Sequence, residues 1–457
     1  MAEPSSRSSF SRRTVLASLP LGALAGGAAG GLFDSKSDAS REPAPTGESS
    51  SPVGPGTFDL LDATAEGAVG DGLFDNTDVL RSILDSASGR MRVYLPPGTY
   101  LISDSLRLPE STVLVGAGGA STTIRLSDST DRPFVLASQA DNISLSGLLF
   151  DGGEQSTTAV SLQIDGCHDV LIETCTFVRM KNAVHVYSSQ ARKSSRVSVR
   201  RNLFTEITDF AIRVSEGAEH VLVTENTIQD VAKAEAPSPA GVYVRGSYTT
   251  VSGNTVLSSS DTGVLVAGAE AQHFLIKDNT LLTRQVGVFV GSGARTGVVA
   301  DNIIASERDF GIHLFDREGR PVDCIVQGNI IENCGKTGIQ VEGVSEFSLL
   351  GNSIANPGRR LDQKREWRCG VAIGSTAGGA AARFIISGNL ITSAPGEDAM
   401  EHAIYLASAN GHVEVMSNVL RGARGDAVLL NVDVDEPYYI DTIDSIVTSR
   451  RFSRQVT

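Results

Sequence analysis

Apolar residues recur along most of this chain in short strands and not in helical stretches. From about residue 126 onward one pattern repeats: a glycine or alanine, a strand of the form [VI]-x-[VL], a loop, a second alternating strand, an asparagine and a short apolar pair. Alternation with a period of two residues is typical of a β-strand with one buried face. The repeat therefore predicts a solenoid in which every coil adds a similar set of strands.

An asparagine occupies the same place in nine successive repeats. The intervals are 24, 28, 25, 23, 27, 23, 37 and 29 residues, and Cys175 stands at the equivalent place one repeat earlier. Asparagine tolerates left-handed backbone angles, and stacked amides can satisfy one another inside a turn. We therefore expect an asparagine ladder. Its members are Asn202, Asn226, Asn254, Asn279, Asn302, Asn329, Asn352, Asn389 and Asn418.

Two other repeat architectures fit this pattern poorly. The intervals contain no amphipathic stretch long enough for the crossover helices of βαβ units, and propeller blades need roughly forty residues or more. We therefore predict an all-β, right-handed parallel β-helix, with neighbouring coils about 4.8 Å apart. Its coils span residues 126–430, and residues 431–457 are expected to form a C-terminal cap or tail.

The segment before the repeats, residues 57–125, has the pattern of a cap. A turn-rich GAVGDG loop at 67–72 precedes Asp75, which can cap a short helix, and the strand and turn VYLPPGTY follow at 93–100. The predicted apolar face of this helix consists of Val79, Leu80, Ile83 and Leu84. The glycines form no GxGxxG motif and no Walker lysine follows them, which argues against a nucleotide site.

This order of motifs closely resembles the amino-terminal cap of the pectate-lyase superfamily of right-handed parallel β-helices, a cap that also opens the alginate epimerases. The resemblance covers about residues 57–125 and implies a scaffold, not a reaction. In pectate lyases and their relatives, the sheet before the first turn floors the substrate groove. The family's catalytic signatures are missing, because the chain has no epimerase-type D-P-H motif and no GHG or RIK motif of polygalacturonases.

The first 56 residues indicate export. Arg12 and Arg13 precede a weakly apolar, Gly/Ala-rich stretch, and Ala23 and Ala25 supply an A-x-A cleavage site, so residues 1–33 are predicted to be a twin-arginine signal peptide. The stretch is too dilute in apolar residues for a membrane span. Residues 34–56, rich in Ser, Pro, Gly and charge, are predicted to be a flexible linker. We expect the mature chain to be periplasmic, secreted or on the cell surface.

The composition limits the classes of partner that this chain is expected to bind. With 39 basic and 53 acidic residues, the net charge of −14 argues against a general nucleic-acid binder. Five scattered cysteines do not make a disulfide scaffold. Cys324 and Cys334 flank one coil turn and Cys369 begins a later strand; export permits a disulfide, but the spacing does not establish one. No metal-ligand spacing is evident. Calcium remains possible at Asp433, Asp435 and Glu436, although acids at a chain end are more often solvent-facing. The oligomeric state stays open.

The β-helix also predicts which side chains face the groove. In the [VI]-x-[VL] strand the aliphatic residues point inward and x points to solvent. The x residues then form one row: Gln163, His185, Arg213, Tyr243, Leu265, Phe289, His313, Gln340, Ala372, Tyr405 and Leu429. The outward positions two residues further on include Tyr187, Ser215, Arg245, Phe315 and Glu342.

Two patches along this row carry candidate chemistry. The first joins His185, Tyr187, Arg213, Tyr243 and Arg245, which supply a base, a proton donor and cations for abstracting a proton next to a carboxylate. The second patch centres on His313, with Asp309, Asp316, Gln340 and Glu342 nearby as carboxylate or amide partners.

The alternative for each patch is a solvated sheet face, on which these side chains form ordinary cross-strand pairs.

The 37-residue interval inserts a basic loop immediately before a groove strand. Residues 357–369 contain five basic side chains and Trp367, the only tryptophan of the chain. Trp367, Arg365 and Arg317 are predicted to contact substrate together with Gln340 and Glu342, because aromatic faces stack on sugars and arginine binds carboxylates. A second basic run, 192–201, supports an anionic glycan. A merely solvated loop is the alternative.

These observations favour an exported protein that acts on a polysaccharide. The leading hypothesis is β-elimination or C5 epimerisation of a uronic-acid polymer, with His313, Tyr243, Arg213, Arg245, His185 and Asp316 as candidate catalytic residues. The alternatives are a glycoside hydrolase or transferase that uses two carboxylates about 5–10 Å apart, or a noncatalytic glycan-binding surface protein. No cofactor is firmly implied.

Overall fold

The computed structural model describes residues 60–454 except 88–91, 119, 128–132, 154–159, 190, 232–238, 260, 319, 375–380, 397, 408, 431–437 and 444–451. The predicted signal peptide, the linker and the acidic residues Asp433, Asp435 and Glu436 lie outside the described residues. Within them the chain winds into a parallel β-helix of about twelve turns, which confirms the predicted all-β fold. No described helix is long and apolar enough to cross a membrane.

Each coil adds one strand to each of three faces, here named A, B and C. Face A holds the [VI]-x-[VL] strands: Leu106–Arg107, Val135–Ser138, Val160–Asp165, Ala240–Val244, Thr262–Ala267, Val286–Gly291, Ile312–Phe315, Ile339–Glu342, Cys369–Ile373, His402–Leu406, Val428–Leu430 and Phe452–Arg454. All of them pair in parallel with their neighbours.

Face B precedes the asparagine turn and is also parallel. Its strands are Leu60–Asp62, Arg92–Leu95, Val113–Gly116, Ile143–Ser146, His168–Glu173, Ser195–Arg200, Glu219–Thr224, Thr250–Ser252, Leu275–Lys277, Gly297–Ala300, Pro321–Gln327, Ser345–Leu350, Ala381–Ser387, Ala409–Arg421 and Tyr438–Ile443. The strand Ala409–Arg421 continues into face C, where it pairs with Leu390–Thr392.

Face C follows the asparagine turn. Its strands are Asp71–Asp75, Gly98–Ile102, Thr122–Leu126, Leu149–Asp151, Thr176–Tyr187, Leu203–Val214, Thr227–Gln229, Thr255–Ser259, Thr280–Thr283, Ile303–Ser306, Ile330–Glu332, Ser353–Ala355 and Leu390–Thr392. Two of them, Thr176–Tyr187 and Leu203–Val214, run on into face A. A short 3₁₀ turn, Arg365–Trp367, lies in the inserted loop.

The core fills the space between the three faces. The aliphatic residues of each face A strand, such as Ile312 and Leu314, are fully buried. Glycine opens many of these strands because the next face lies close: a Cβ on Gly311 would stand 2.5 Å from Cγ2 of Ile331. The repeated G-[VI]-x-[VL] pattern thus records the tight corner between faces C and A.

The predicted asparagine ladder is confirmed. Nδ2 of Asn302 donates to Oδ1 of Asn329 at 2.9 Å and to the carbonyl of Ile276 at 3.0 Å, while Oδ1 of Asn302 accepts from the backbone and side chain of Asn279. Cys175 donates its N–H to Asn202 at the start of the ladder. The left-handed residue is the one before each asparagine, such as Asp301, because the amide itself must point into the core.

The helix α1, Thr77–Ser86, covers the amino-terminal end of the coil. Leu80, Ile83 and Leu84 are buried as predicted. The residue preceding the helix is Asn76, not Asp75. Its buried side-chain amide accepts the N–H of Val69 and donates to the carbonyl groups of Val69 and Phe74. The carboxylate of Asp75 still accepts the Thr77 N–H at 3.0 Å. The GAVGDG loop and the helix are therefore tied together by one asparagine side chain.

All five cysteines are buried free thiols. Burial raises the pKa of Cys324 and of Cys334 to about 12. The disulfide that the sequence left open between these two residues does not form in this structure.

We predict that Asn302→Ala lowers the free energy of unfolding by about 2–4 kcal/mol, because it leaves the Asn279 amide groups and the Ile276 carbonyl without their buried partner. Urea unfolding followed by circular dichroism measures this loss. Ser198→Ala, on the outer side of face B, is the matched control and should change stability by less than about 0.5 kcal/mol. Equal stability of the two variants would contradict a structural role for the ladder.

Candidate functional site

The x residues of face A form one continuous row, as the sequence predicted. Direct strand pairing joins each to the next. His185 and His313 are five strand spacings apart, about 24 Å at about 4.8 Å per spacing. From His185 to His313 the row side chains are partly exposed, whereas Gln340, Ala372 and Tyr405 are buried. We call this line of side chains the face A row.

The first patch is assembled around His185. Its Nε2 lies 2.7 Å from Oγ of Ser215, and its ring contacts Tyr187 edge-on at 5.6 Å between ring centroids. Burial lowers the pKa of His185 to about 4, and the positive charge of Arg213 acts in the same direction. The imidazole is therefore neutral near pH 7 and has the protonation state of a general base.

Arg213 and Tyr243 stand on the next two coils. The Arg213 guanidinium carbon lies 5.7 Å from the Phe210 ring centroid and 5.8 Å from that of Tyr243, and the two rings pack together at 4.9 Å. Nε of Arg213 has no hydrogen-bond partner. Arg245, one position further out, pairs with Glu216. The aromatic rings thus hold a partly exposed guanidinium whose Nε is buried and lacks a hydrogen-bond partner.

The sequence analysis missed Asp209 and Asn182, which lie at the start of the same face A strands. Asp209 is buried, and its Oδ1 has no hydrogen-bond partner. Burial raises the pKa of Asp209, against the opposing charges of Lys181 and Arg213. A signal was present: the position four residues before x is charged in most coils, as in Lys181, Asp209, Asp261, Asp309, Lys336, Arg368 and Glu401. We call Asn182, His185, Asp209, Arg213 and Tyr243 the His185 cluster.

Unpaired buried polar atoms concentrate along this face. Among the described residues, nine buried side-chain atoms lack a hydrogen-bond partner, and eight of them belong to strands that contribute to face A or to residues within two positions of one. These eight are in Asn182, Ser189, Thr208, Asp209, Arg213, Arg245, His313 and Gln340. Folded proteins satisfy most such atoms, so their concentration along one face is exceptional.

The second patch surrounds His313 with aromatic rings. Phe310, Phe289 and Phe315 lie 4.8, 5.3 and 5.6 Å from the imidazole, measured between ring centroids. Nε2 of His313 lies 3.4 Å from Oε2 of Glu342, on the next coil. Gln340 donates to the other oxygen of Glu342 at 3.1 Å. Phe289, Phe310, His313, Gln340 and Glu342 are here called the His313 cluster.

Asp316 lies apart from this chemistry, although the sequence suggested it as a catalytic partner of His313. Its carboxylate is buried and accepts the backbone N–H groups of Gly293 and Glu318 at 2.9 and 2.7 Å. It also pairs with Arg320 at 3.0 Å. Asp316 therefore holds a turn, and Glu342 is the carboxylate beside His313.

The inserted loop brings Trp367 to the His313 side of the groove. Nζ of Lys336 lies 4.7 Å from the Trp367 ring centroid and 5.2 Å from that of Phe310, and it pairs with Asp309 at 2.8 Å. Nζ of Lys364 lies 5.6 Å from the Trp367 ring centroid. Trp367 and the His313 cluster are thus linked through Lys336, a residue that the sequence analysis did not single out.

The two predicted arginine contacts are placed differently. Arg317 stands 5.9 Å from the Phe315 ring, at the edge of the His313 cluster. Arg365 is highly exposed and reaches only Glu401, at 3.8 Å. The structure therefore brings Arg317 to the groove and leaves Arg365 on the outer side of the loop.

A metal site is not evident in the part of the chain that the structure describes. No group of three His, Cys, Asp or Glu side chains there could hold a metal ion. The acidic residues considered for calcium, 433–436, lie outside it.

Curated relatives match part of the chain. The pre-neck appendage protein of Bacillus phage phi29 is 32% identical over 122 residues, 23% of this chain and 14% of that protein. A mannuronan C5-epimerase of Azotobacter vinelandii, AlgE3, is 30% identical over 122 residues, 23% of this chain and 6% of the epimerase. The chain thus spans only a small part of the length of these relatives.

A solved structure shares the fold over a longer range. The A-module of the Azotobacter vinelandii mannuronan C5-epimerase AlgE6 superposes with a TM-score of 0.61 at 17% identity, covering 85% of this chain and all of the module. At that identity the likeness shows the fold alone. A family model matches residues 61–313, more than half of the chain, from the cap to His313. The chain therefore belongs to the rhamnogalacturonase A/epimerase, pectate lyase-like family.

Proposed function

We propose that this protein acts on an anionic, uronic-acid polysaccharide along the face A row, by β-elimination or the related C5 epimerisation. Family membership and the epimerase and phage relatives support a carbohydrate-active or glycan-binding β-helix protein. The observation that carries the finer proposal is the His185 cluster: a neutral imidazole, a partly exposed arginine and a tyrosine on three neighbouring coils.

The cluster contains the groups that proton abstraction beside a carboxylate needs. Arg213 binds the uronate carboxylate, which lowers the cost of the enolate-like charge that forms when the C5 proton leaves. When Nε2–H of His185 donates to Ser215, the lone pair is on Nδ1, and that nitrogen takes the proton. Asp209 lies on the same strand as Arg213, and burial raises the pKa of its carboxyl group.

Tyr243 completes either reaction. In β-elimination the C5–H electrons form a C4=C5 double bond, the C4–O4 bond breaks, and the phenol of Tyr243 protonates the departing O4. In epimerisation the C4–O4 bond stays intact, and Tyr243 returns a proton to the opposite face of C5. Both routes use the same base and the same cation. The position of the bound sugar ring relative to Tyr243 therefore decides between elimination and epimerisation.

The His313 cluster serves as a second subsite of the same groove. Its two phenylalanines offer apolar faces to sugar C–H groups, while Glu342 and Gln340 supply hydrogen-bonding groups. A polymer lying along face A can contact both clusters, which are about 24 Å apart at about 4.8 Å per coil.

A glycoside hydrolase is less well supported. Asp316 is fully engaged in a turn and Asp309 is paired with Lys336, which leaves only Glu342 beside the groove from the three carboxylates considered. A noncatalytic glycan-binding protein is the second candidate, because the aromatic-rich His313 cluster can bind a sugar without any base.

We predict that the mature chain releases unsaturated, ultraviolet-absorbing product from alginate, pectate or a glycosaminoglycan, or inverts C5 in one of them, as followed by nuclear magnetic resonance. His185→Gln and Tyr243→Phe should each lower kcat by about 10²–10⁴-fold, because each removes a proton-transfer group. The matched controls His412→Gln and Tyr94→Phe lie away from the row and should retain full activity.

Inactivity on every polymer, with and without calcium, while binding persists would favour the noncatalytic candidate. New reducing ends without unsaturation would favour hydrolysis. Loss of activity in the two control variants would show that the assay reports folding and not chemistry.

The low pKa of His185 predicts an unusual pH profile. The base is functional only when deprotonated, so kcat/KM should rise as pH increases through about 4 and stay level above it. An imidazole with the ordinary pKa of about 6.5 would place this rise more than two pH units higher. A rise centred near pH 6.5 would contradict the proposed environment of His185, and residual activity of His185→Gln should lack the limb near pH 4.

We also propose export by the twin-arginine route, which rests on the sequence. Replacing Arg12 and Arg13 together by lysine should retain the precursor in the cytoplasm, because that route reads the paired arginines. Cell fractionation with immunoblotting measures the shift. Unchanged export of the double-lysine variant would contradict the proposal, and Arg7→Lys is the matched control.

A further inference from the structure

A large cavity lies on face C, away from the face A row. Its volume is about 1140 Å³. Three outward residues of successive coils form its floor, because Leu257, Leu282 and Ala305 pair directly in register. Leu282 is 44% exposed and contributes the central apolar side chain of this floor. The floor is thus an apolar strip that the rest of the described chain leaves open.

The cavity also contains a cation without an ion-pair partner. Arg284 lines the cavity, is exposed and makes no ion pair with any described residue. A guanidinium without a partner beside an apolar floor is a feature of a ligand site.

The inserted loop builds the far wall. Backbone bonds from Arg359 to Cys334 at 3.2 Å and from Arg360 to Gly335 at 2.9 Å hold the two arginines against the coil. Arg359 lies 3.8 Å from Asp398, and Arg360 pairs with Asp362. The same loop carries Trp367 to face A. One insertion therefore lines two separate surfaces of the β-helix.

The wall offers planar polar groups of both signs. Besides the three arginines, the carboxylates that line the cavity are Asp230, Glu307 and Asp398. Arginine binds a carboxylate through a bidentate fork, and aspartate and glutamate accept hydrogen bonds from hydroxyl groups. The apolar floor suits the C–H face of a sugar ring. A ligand with a carboxylate, several hydroxyls and one apolar face satisfies all three.

We propose that this cavity is a second binding site, distinct from the face A row, for a segment of an anionic polysaccharide. The identity of the sugar as a uronate rests on the proposed function, whereas the site itself rests on the cavity. The cavity volume of about 1140 Å³ exceeds the range of about 300–1,000 Å³ that holds drug-sized ligands, so the cavity accommodates more than one sugar ring. The site anchors the polymer without contacting the reacting atoms.

The test uses a saturated hexamer of mannuronic acid, with maltohexaose as the neutral probe, in the His185→Gln background, where turnover is slowed. Isothermal titration should give two hexamers per chain. Leu282→Glu places a carboxylate in the floor, and Arg284→Gln removes the unpaired cation. Each should weaken the second site at least tenfold, so that one hexamer remains. Maltohexaose should not fill the site.

The matched control is Leu222→Glu, an equally exposed leucine on face B. It should keep two sites. Equal stoichiometry and affinity in Leu282→Glu and Leu222→Glu would overturn the proposal, as would displacement of the cavity-bound hexamer by an equal concentration of a hexaglutamate peptide, which would assign the cavity to acidic protein segments. Circular dichroism confirms that both variants fold.

This result separates the two proposals. Activity in the unsubstituted chain together with a single hexamer site would overturn the second site and leave the proposed function standing. A hexamer site that depends on Leu282, without any product from the unsubstituted chain, would support the second site and contradict catalysis.

Discussion

Parallel pairing in strict register is the constraint on which this structure depends. Every face A strand aligns its x residue with the x residue of the next coil, from Gln163 to Leu429. The asparagine ladder enforces that register at another corner, because each amide must meet the next to satisfy its donors and acceptors. A slip of one residue would send each inward side chain outward. The register that positions the core residues therefore also positions the residues of the groove.

The regular register turns distant residues into neighbours and decides their protonation states. His185 is neutral because burial and Arg213 both disfavour its charged form. Asp209 is buried beside the same arginine, yet burial outweighs the attraction and raises its pKa. Burial thus shifts the pKa of both groups toward the neutral form, which is typical of titratable groups in functional sites.

The insertion before the Cys369 strand shows how a solenoid acquires specificity. The coils themselves are nearly uniform, so loops at their corners supply the variation. This loop places Trp367 beside Lys336 and the His313 cluster, and Arg359 and Arg360 beside the cavity of face C. A single insertion therefore changes two surfaces, because it wraps around the corner between faces C and A.

The sequence by itself determined the architecture, because periodicity is a local property: the alternation, the nine asparagines and the x row all transferred directly to the structure. It also indicated Tyr243, Arg213 and His185 as neighbours. Only the tertiary structure decided that Asp316 holds a turn and Glu342 faces His313, because the backbone N–H groups that Asp316 accepts from lie in turns that the strand pattern does not describe. Burial, which depends on all surrounding coils, likewise revealed Asp209, the unpartnered Nε of Arg213 and the cavity of face C.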